Sequence, residues 1–176
     1  IGELSTKVGL LFQEPASQLV CASVEEEIAF GPENLGVDPE EIGHRVDRLL
    51  DLTRLKEYRE RNPFYLSGGE QQAVALASIM SMYPDIYVLD EPTSNLDPFE
   101  SRIIFQLLEQ ELHGKKTVII VEHKISELAP LVDRIIFMDT GEILLDGKPY
   151  SVIDKLISMH EKIGIRPPQV SMLFSK

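Results

Sequence analysis

The chain has 176 residues, with 17 Lys and Arg against 29 Asp and Glu for a net charge of −12, and 43% of its residues are hydrophobic. That length and composition fit one soluble domain with a core of its own, and the acidic balance works against wide contact with a phosphate backbone, so nucleic acid is not an expected partner. The single cysteine, Cys21, excludes an internal disulfide framework, and no apolar run approaches the roughly 20 residues needed to cross a bilayer.

In chain order, the first residues carry no capped helix, no secretory leader and no initiator methionine, so a further N-terminal part of the protein is expected ahead of Ile1. Residues 8–12 then form the first short apolar run that reads as a buried strand. Residues 24–63 contain no convincing strand and are rich in charge. They read as a helical subdomain inserted into the fold, with one helix opening at Asp38-Pro39-Glu40-Glu41, where Asp38 caps, Pro39 sits at the first helical position and Glu41 follows three residues after the cap. Ile42, Val46, Leu49 and Leu50 continue at helical spacing.

Ser67-Gly68-Gly69-Glu70 repeats the cap-to-acid spacing ahead of Val74, Leu76, Ala77 and Met80, and Pro84 ends that helix. Residues 86–89 are the second strand. Asp97-Pro98-Phe99-Glu100 opens a further helix that Gly114 closes. Strands at 117–121 and 134–138, a weaker one at 142–145 across a turn at Thr140-Gly141, and a helix from Pro149 to Gly164 complete the pattern. Most strands are apolar without alternation, as in a parallel sheet covered by helices on both faces. The expected architecture is therefore α/β: a core from residues 1–23 and 64–165, the helical insert 24–63, and a tail over 166–176.

In an open α/β sheet the ligand crevice lies beyond the carboxyl ends of the strands. Gln13 follows the first strand, Asp90-Glu91 the second and Glu122-His123 the third. Each has a plain structural alternative: Gln is common in loops, Asp-Glu can cap the next helix, and a lone His is often a satisfied surface residue. Together they make a set suited to phosphoryl transfer to water. Asp90 would hold Mg²⁺, Glu91 would polarise a water, Gln13 would bind the same metal or orient that water, and His123 would donate to the moving phosphoryl group. The glycines of Ser67-Gly68-Gly69 leave backbone N–H groups open at the positive end of a helix, which suits a phosphate.

These residues in this order resemble the nucleotide-binding domain of ATP-binding-cassette (ABC) transporters, whose fold is of the P-loop nucleoside-triphosphatase type. Gln13 in GLLFQEP resembles the Q-loop, LSGGEQQ at 66–72 the signature motif, IYVLDE at 86–91 Walker B, SNLD at 94–97 the D-loop, and His123 in VIIVEHK the switch histidine. LFQEPASQLV, SVEEEIAFGPENLG and GIRPPQVS resemble more narrowly the ATPase subunits of energy-coupling-factor and cobalt-type importers, which take up vitamins or transition-metal ions. The Walker A pattern G-x-x-x-x-G-K-[ST] does not occur in these 176 residues. Glu70 stands where Gln is usual in the signature and Ala73 where a basic residue is usual.

The resemblance implies ATP and Mg²⁺ as ligands, with two such domains packed head to tail. Ser67, Gly68, Gly69 and Glu70 would then contact the nucleotide of the partner domain, and Asp97 would lie in the interface. It also implies an integral membrane transport subunit, a substrate-binding membrane component and a cytoplasmic site on the inner face of the membrane. The fragment is expected to bind ATP poorly by itself. The alternatives are a soluble ABC ATPase of DNA repair or translation, and a non-catalytic interaction fragment. The short spacing between Gln13 and Leu66 leaves no room for the coiled coil of the repair type.

Overall fold

A computed structural model of the chain describes residues 6–94, 96–112 and 116–163. The expected helix stop at Gly114, Asn95 of the SNLD segment and the tail over 166–176 lie outside the described residues. The chain divides into two compact units, Ile1–Glu122 and His123–Lys176.

The first unit holds three parallel strands, β1 (Val8–Leu11), β2 (Ile86–Asp90) and β3 (Thr117–Val121), with β2 in the middle. Leu10 pairs with Val88 and Val88 with Ile119, while Leu11, Leu89 and Ile120 form the next rung. Successive side chains on a strand point to opposite faces. Leu11, Tyr87 and Leu89 are fully buried on one face, and burial pushes the Tyr87 hydroxyl up to about 12. Leu10, Ile119 and Val121 share the other face and are 42%, 52% and 52% exposed, so among the described residues that face is open. Phe12 falls outside β1: its N–H goes to the side chain of Gln18 at 2.7 Å rather than to the sheet. Asp90 joins β2, since it still pairs with Val121.

Three α-helices separate β1 from β2, α1 (Val24–Asn34), α2 (Pro39–Thr53) and α3 (Gly68–Ser81), along with three single turns of 3-10 helix. Ser23 caps α1 by accepting from the N–H of Glu26. Asp38 caps α2 as expected, but through the N–H of Glu40 at 2.9 Å. Glu41 turns outward to Arg45 at 2.8 Å instead of closing the cap. The apolar positions anticipated in α2 and α3 are all buried, and α3 packs against α1, α2 and β1.

Polar side chains fix the helix ends. Arg45 of α2 donates to the Ser81 carbonyl at 2.8 Å and lies 4.2 Å from the centre of the Tyr83 ring, placing a cation at the negative end of α3. Arg59 bonds Glu25 of α1 at 2.6 Å and also Asp47 of α2. The buried Glu27 carboxylate accepts the N–H groups of Val20 and Cys21 at 2.8 and 2.7 Å, satisfying two donors where the chain enters α1. Burial, reinforced by the Glu27 charge, pushes the Cys21 thiol up to about 11.

After β2, α4 (Pro98–Leu112) packs on α2 and returns the chain to β3. The second unit contains the short helix α5 (Ile125–Leu128), the antiparallel hairpin β4 (Ile135–Asp139) and β5 (Glu142–Gly147), and α6 (Pro149–Ile163). Thr140 and Gly141 form the two-residue hairpin loop, both with positive φ (46° and 83°), which suits the twist of the paired strands. Arg134 stays outside β4 and grips Asp146 through two bonds of 2.7 and 2.6 Å.

Sheet and helix approach closely at Gly9. A Cβ there would collide with Ile79 of α3 and come within 3.0 Å of Pro84. Gly9→Ala is expected to lower the unfolding free energy of the purified protein by about 1–3 kcal/mol, the cost of overpacking. Adding Ile79→Ala should recover part of the loss in a denaturant titration, whereas an unaffected Gly9→Ala would show slack between β1 and α3.

Candidate functional site

Parallel pairing brings the carboxyl ends of β1, β2 and β3 side by side. Beyond β1, the Gln18 side chain accepts from the N–H of Phe12 and donates to the Leu10 carbonyl at 2.9 Å, which folds the loop back and braces the segment carrying Gln13. Gln13 Nε2 then donates to Glu91 Oε2 at 2.8 Å, across 78 positions of sequence. Asp90 ends β2 on the open face of the sheet, in register with Val121.

Glu91 leaves the sheet with φ +46°, and its N–H donates to the Val121 carbonyl at 2.9 Å. Two positions on, the fully buried Thr93 donates its hydroxyl to the carboxylate of Glu122, which follows β3. The structural alternative for Glu91, a cap of the next helix, is taken instead by Asp97. Asp97 Oδ1 accepts from Phe99 and Glu100 at 2.7 and 2.8 Å, and Glu100 accepts from the N–H of Asp97 at 3.1 Å.

A second cluster surrounds the start of α3. Ser67 and Glu70 form the capping box anticipated from their spacing: Ser67 Oγ accepts from the N–H of Glu70 at 3.3 Å, and the Glu70 carboxylate accepts from the N–H of Ser67 at 2.8 Å and its hydroxyl at 2.9 Å. Partial burial pushes the Glu70 carboxyl up, but those bonds from Ser67, with the Tyr58 hydroxyl and the Arg61 charge, outweigh it and hold the carboxyl below its ordinary value. The same contact with Glu70 raises the Tyr58 hydroxyl. Open space surrounds Gly68. At Gly69 a Cβ would come 2.6 Å from a Glu100 carboxylate oxygen, so an acid from the start of α4 lies against the positive end of α3.

Gln13 and Glu91 are thus brought together, with Asp90 preceding Glu91 at the end of β2, as are Ser67, Gly69 and Glu70 with Asp97 and Glu100. His123 opens the other compact unit, where its carbonyl accepts from Ile125 at 3.0 Å. Three contributors carry no role on sequence grounds: Gln18, Thr93 and Glu122. Glu122 is a polar residue at a strand end, so its position was a signal; the bracing by Gln18 and Thr93 depends on folding that spacing does not reveal.

Among the described residues, no three His, Cys, Asp or Glu side chains converge to hold a metal. Asp90 and Gln13 carry oxygen donors of the kind that Mg²⁺ takes together with phosphates and water.

Residues 1–94 match the family model for "ABC transporter", and the chain belongs to that family. It is 43% identical, over 97% of its length, to the energy-coupling factor transporter ATP-binding protein EcfA1 of Caldanaerobacter subterraneus subsp. tengcongensis, and spans 61% of that relative. Among solved structures it is similar to cbiO1 of Clostridium perfringens, described as part of the ABC transporter complex cbiONQ, with a TM-score of 0.78 and 30% identity over 99% of this chain and 70% of that one. It is also similar to the ATP-binding cassette MJ0796 in a dimeric post-hydrolysis state bound to ADP and Pi, with a TM-score of 0.73 and 29% identity over 84% of this chain and 67% of that one.

Because the folded Glu70 carboxyl lies below its unfolded value, its contribution is present above the ordinary carboxyl range and lost as pH falls through the folded value. Wild type is therefore expected to be more stable than Glu70→Gln near neutrality, with the difference closing in acid. A difference independent of pH in parallel denaturation curves would show that the charge of Glu70 contributes nothing at the cap.

Proposed function

We propose that the chain is part of the ATP-binding and ATP-hydrolysing component of an importer of the energy-coupling-factor type, powering uptake of a vitamin or a transition-metal ion. The observation that carries this reading is the Gln13–Glu91 hydrogen bond at adjoining ends of parallel strands. It joins the Q-loop-like and Walker B-like segments, and the likeness to EcfA1 and to cbiO1 narrows the transporter class.

In this reading Gln13 holds the Glu91 carboxylate in place, and Glu91 accepts a proton as water attacks the terminal phosphorus of ATP, breaking the bond to the bridging oxygen and releasing ADP and phosphate. Bound Mg²⁺ would neutralise charge on the phosphate oxygens. His123 would donate to the phosphoryl group. Ser67, Gly68 and Gly69 offer N–H groups to a nucleotide held mainly by a second ABC domain, packed head to tail, with Asp97 at the same interface. The Glu100 carboxylate, which lies against Gly69, would compete with a phosphate for that helix end.

The helical stretch 24–63 lies between Gln13 and Ser67 in sequence; Arg59 ties its end back to its own helices α1 and α2, and Tyr58 ties it to the α3 cap. It is therefore suited to carry nucleotide state to a membrane subunit on the inner face of the membrane. Among the described residues no helix is long and apolar enough to cross a bilayer, so that partner would supply the membrane path.

Glu91→Gln, introduced into the full-length protein in its native assembly, is expected to slow ATP turnover by about 10²–10⁴, the range of a general base, while ATP binding persists. An ATP-bound dimer should accumulate and be visible by size-exclusion chromatography. Turnover within about threefold of wild type would reject the role, since that change is under about 1 kcal/mol in the barrier. Residues 1–176 alone, lacking the Walker A pattern, are expected to bind MgATP only weakly; calorimetry giving micromolar affinity would contradict this.

A further inference from the structure

Glu91 sits in an unfavourable backbone position. Its φ of +46° lies in the left-handed region, which disfavours side chains, and the next residue is Pro92, which restricts it further. Such a residue persists only where its surroundings impose the conformation. Two bonds from the end of β3 do so. The Val121 carbonyl accepts the N–H of Glu91 at 2.9 Å, and the Glu122 carboxylate accepts the hydroxyl of Thr93, a side chain with no exposed surface. The turn between these anchors is closed by the N–H of Ser94, which donates to the Glu91 carbonyl at 3.1 Å.

A carboxylate is a costly choice of anchor here. Asp90 and Glu91 are already at the end of the neighbouring strand, and a third negative charge makes the potential more negative where phosphates are proposed to bind. In return, a charged acceptor holds a buried hydroxyl more strongly than a neutral one. Glu122 reaches the turn from a different strand, so it fixes the turn relative to the sheet.

We propose that Glu122 is a positioning residue: through its hydrogen bond from Thr93 it locks the turn after β2 and so aims the Glu91 carboxylate. This rests on the reading of Glu91 as the hydrolytic carboxylate. Glu122 touches neither water nor phosphate in this account. Losing the bond lets the turn relax and displaces Glu91 by a fraction of an ångström to an ångström, a misplacement that costs up to about 10² in rate.

The test compares Thr93→Val, Glu122→Ala, their double variant, Thr93→Ser, Glu122→Gln and Glu91→Gln in the full-length protein in its native assembly, measuring ATP turnover and nucleotide affinity. Thr93→Val and Glu122→Ala should each lower kcat by about 10- to 100-fold while nucleotide affinity stays within about threefold. The double variant should be no slower than either single one, because both remove the same bond. Thr93→Ser keeps the donor and should rescue most of the lost turnover, while Glu122→Gln keeps a weaker, neutral acceptor and should rescue part of it. Three results overturn the proposal: Glu122→Gln as slow as Glu122→Ala, which would make the charge act directly; losses that multiply in the double variant; or normal turnover in Glu122→Ala. Normal turnover in Glu91→Gln would instead reject the underlying reading of Glu91. If Thr93→Val does not fold, Glu122→Ala against Glu122→Gln makes the same comparison.

Discussion

The parallel, in-register pairing of β2 between β1 and β3 is the constraint on which the rest of this structure depends. Parallel strands all end at the same edge, so the residues that follow them become neighbours whatever their separation in sequence. Gln13 and Glu91 meet for that reason, and so do Thr93 and Glu122. The pairing in turn depends on α3, whose apolar side packs on the sheet closely enough that position 9 has room only for glycine. Register, helix packing and the strand-end cluster thus form one chain of cause.

Negative charge is the main tension in the molecule. With a net charge of −12, the chain nonetheless gathers Asp90, Glu91 and Glu122 at one sheet edge and sets Glu100 against Gly69. Hydrogen-bond donors offset part of the cost: Gln13 for Glu91, Thr93 for Glu122, and the N–H and hydroxyl of Ser67 for Glu70. A magnesium-bound nucleotide would bring in the compensating cation, which is how an acidic strand edge suits the proposed chemistry. The second unit shows a simpler version of the same pairing in the two bonds from Arg134, which hold the Asp146 carboxyl below its usual range.

Much of this was legible in sequence where local chemistry decides the outcome. The strands stood out because they are short, apolar and β-branched, and the Ser67–Glu70 capping box was visible because cap and acid are three residues apart. Glu41 has the same spacing from Asp38 yet pairs with Arg45, since a cation one helical turn on competes for it. Gln13, Asp90 and Glu91 could be picked out as polar residues at strand ends. That Gln13 bonds Glu91, and that Glu122 supports the turn beside it, depends on which strands are neighbours, and a single sequence does not state that order. The left-handed conformation of Glu91 was also beyond reach, because tertiary bonds impose it against the preference of the residue and of the following proline.

The central claim is that Gln13 and Glu91 act as one unit at the strand ends. A double-mutant cycle on the ATP turnover of the full-length assembly, with Gln13→Ala, Glu91→Gln and both together, addresses it most directly. If Gln13 acts by holding Glu91, then once Glu91 is replaced the loss of Gln13 should cost little more, and the double variant should turn over about as slowly as Glu91→Gln alone. Losses that multiply, with the double variant slower by the full product of the two single effects, would show two independent residues and contradict the account.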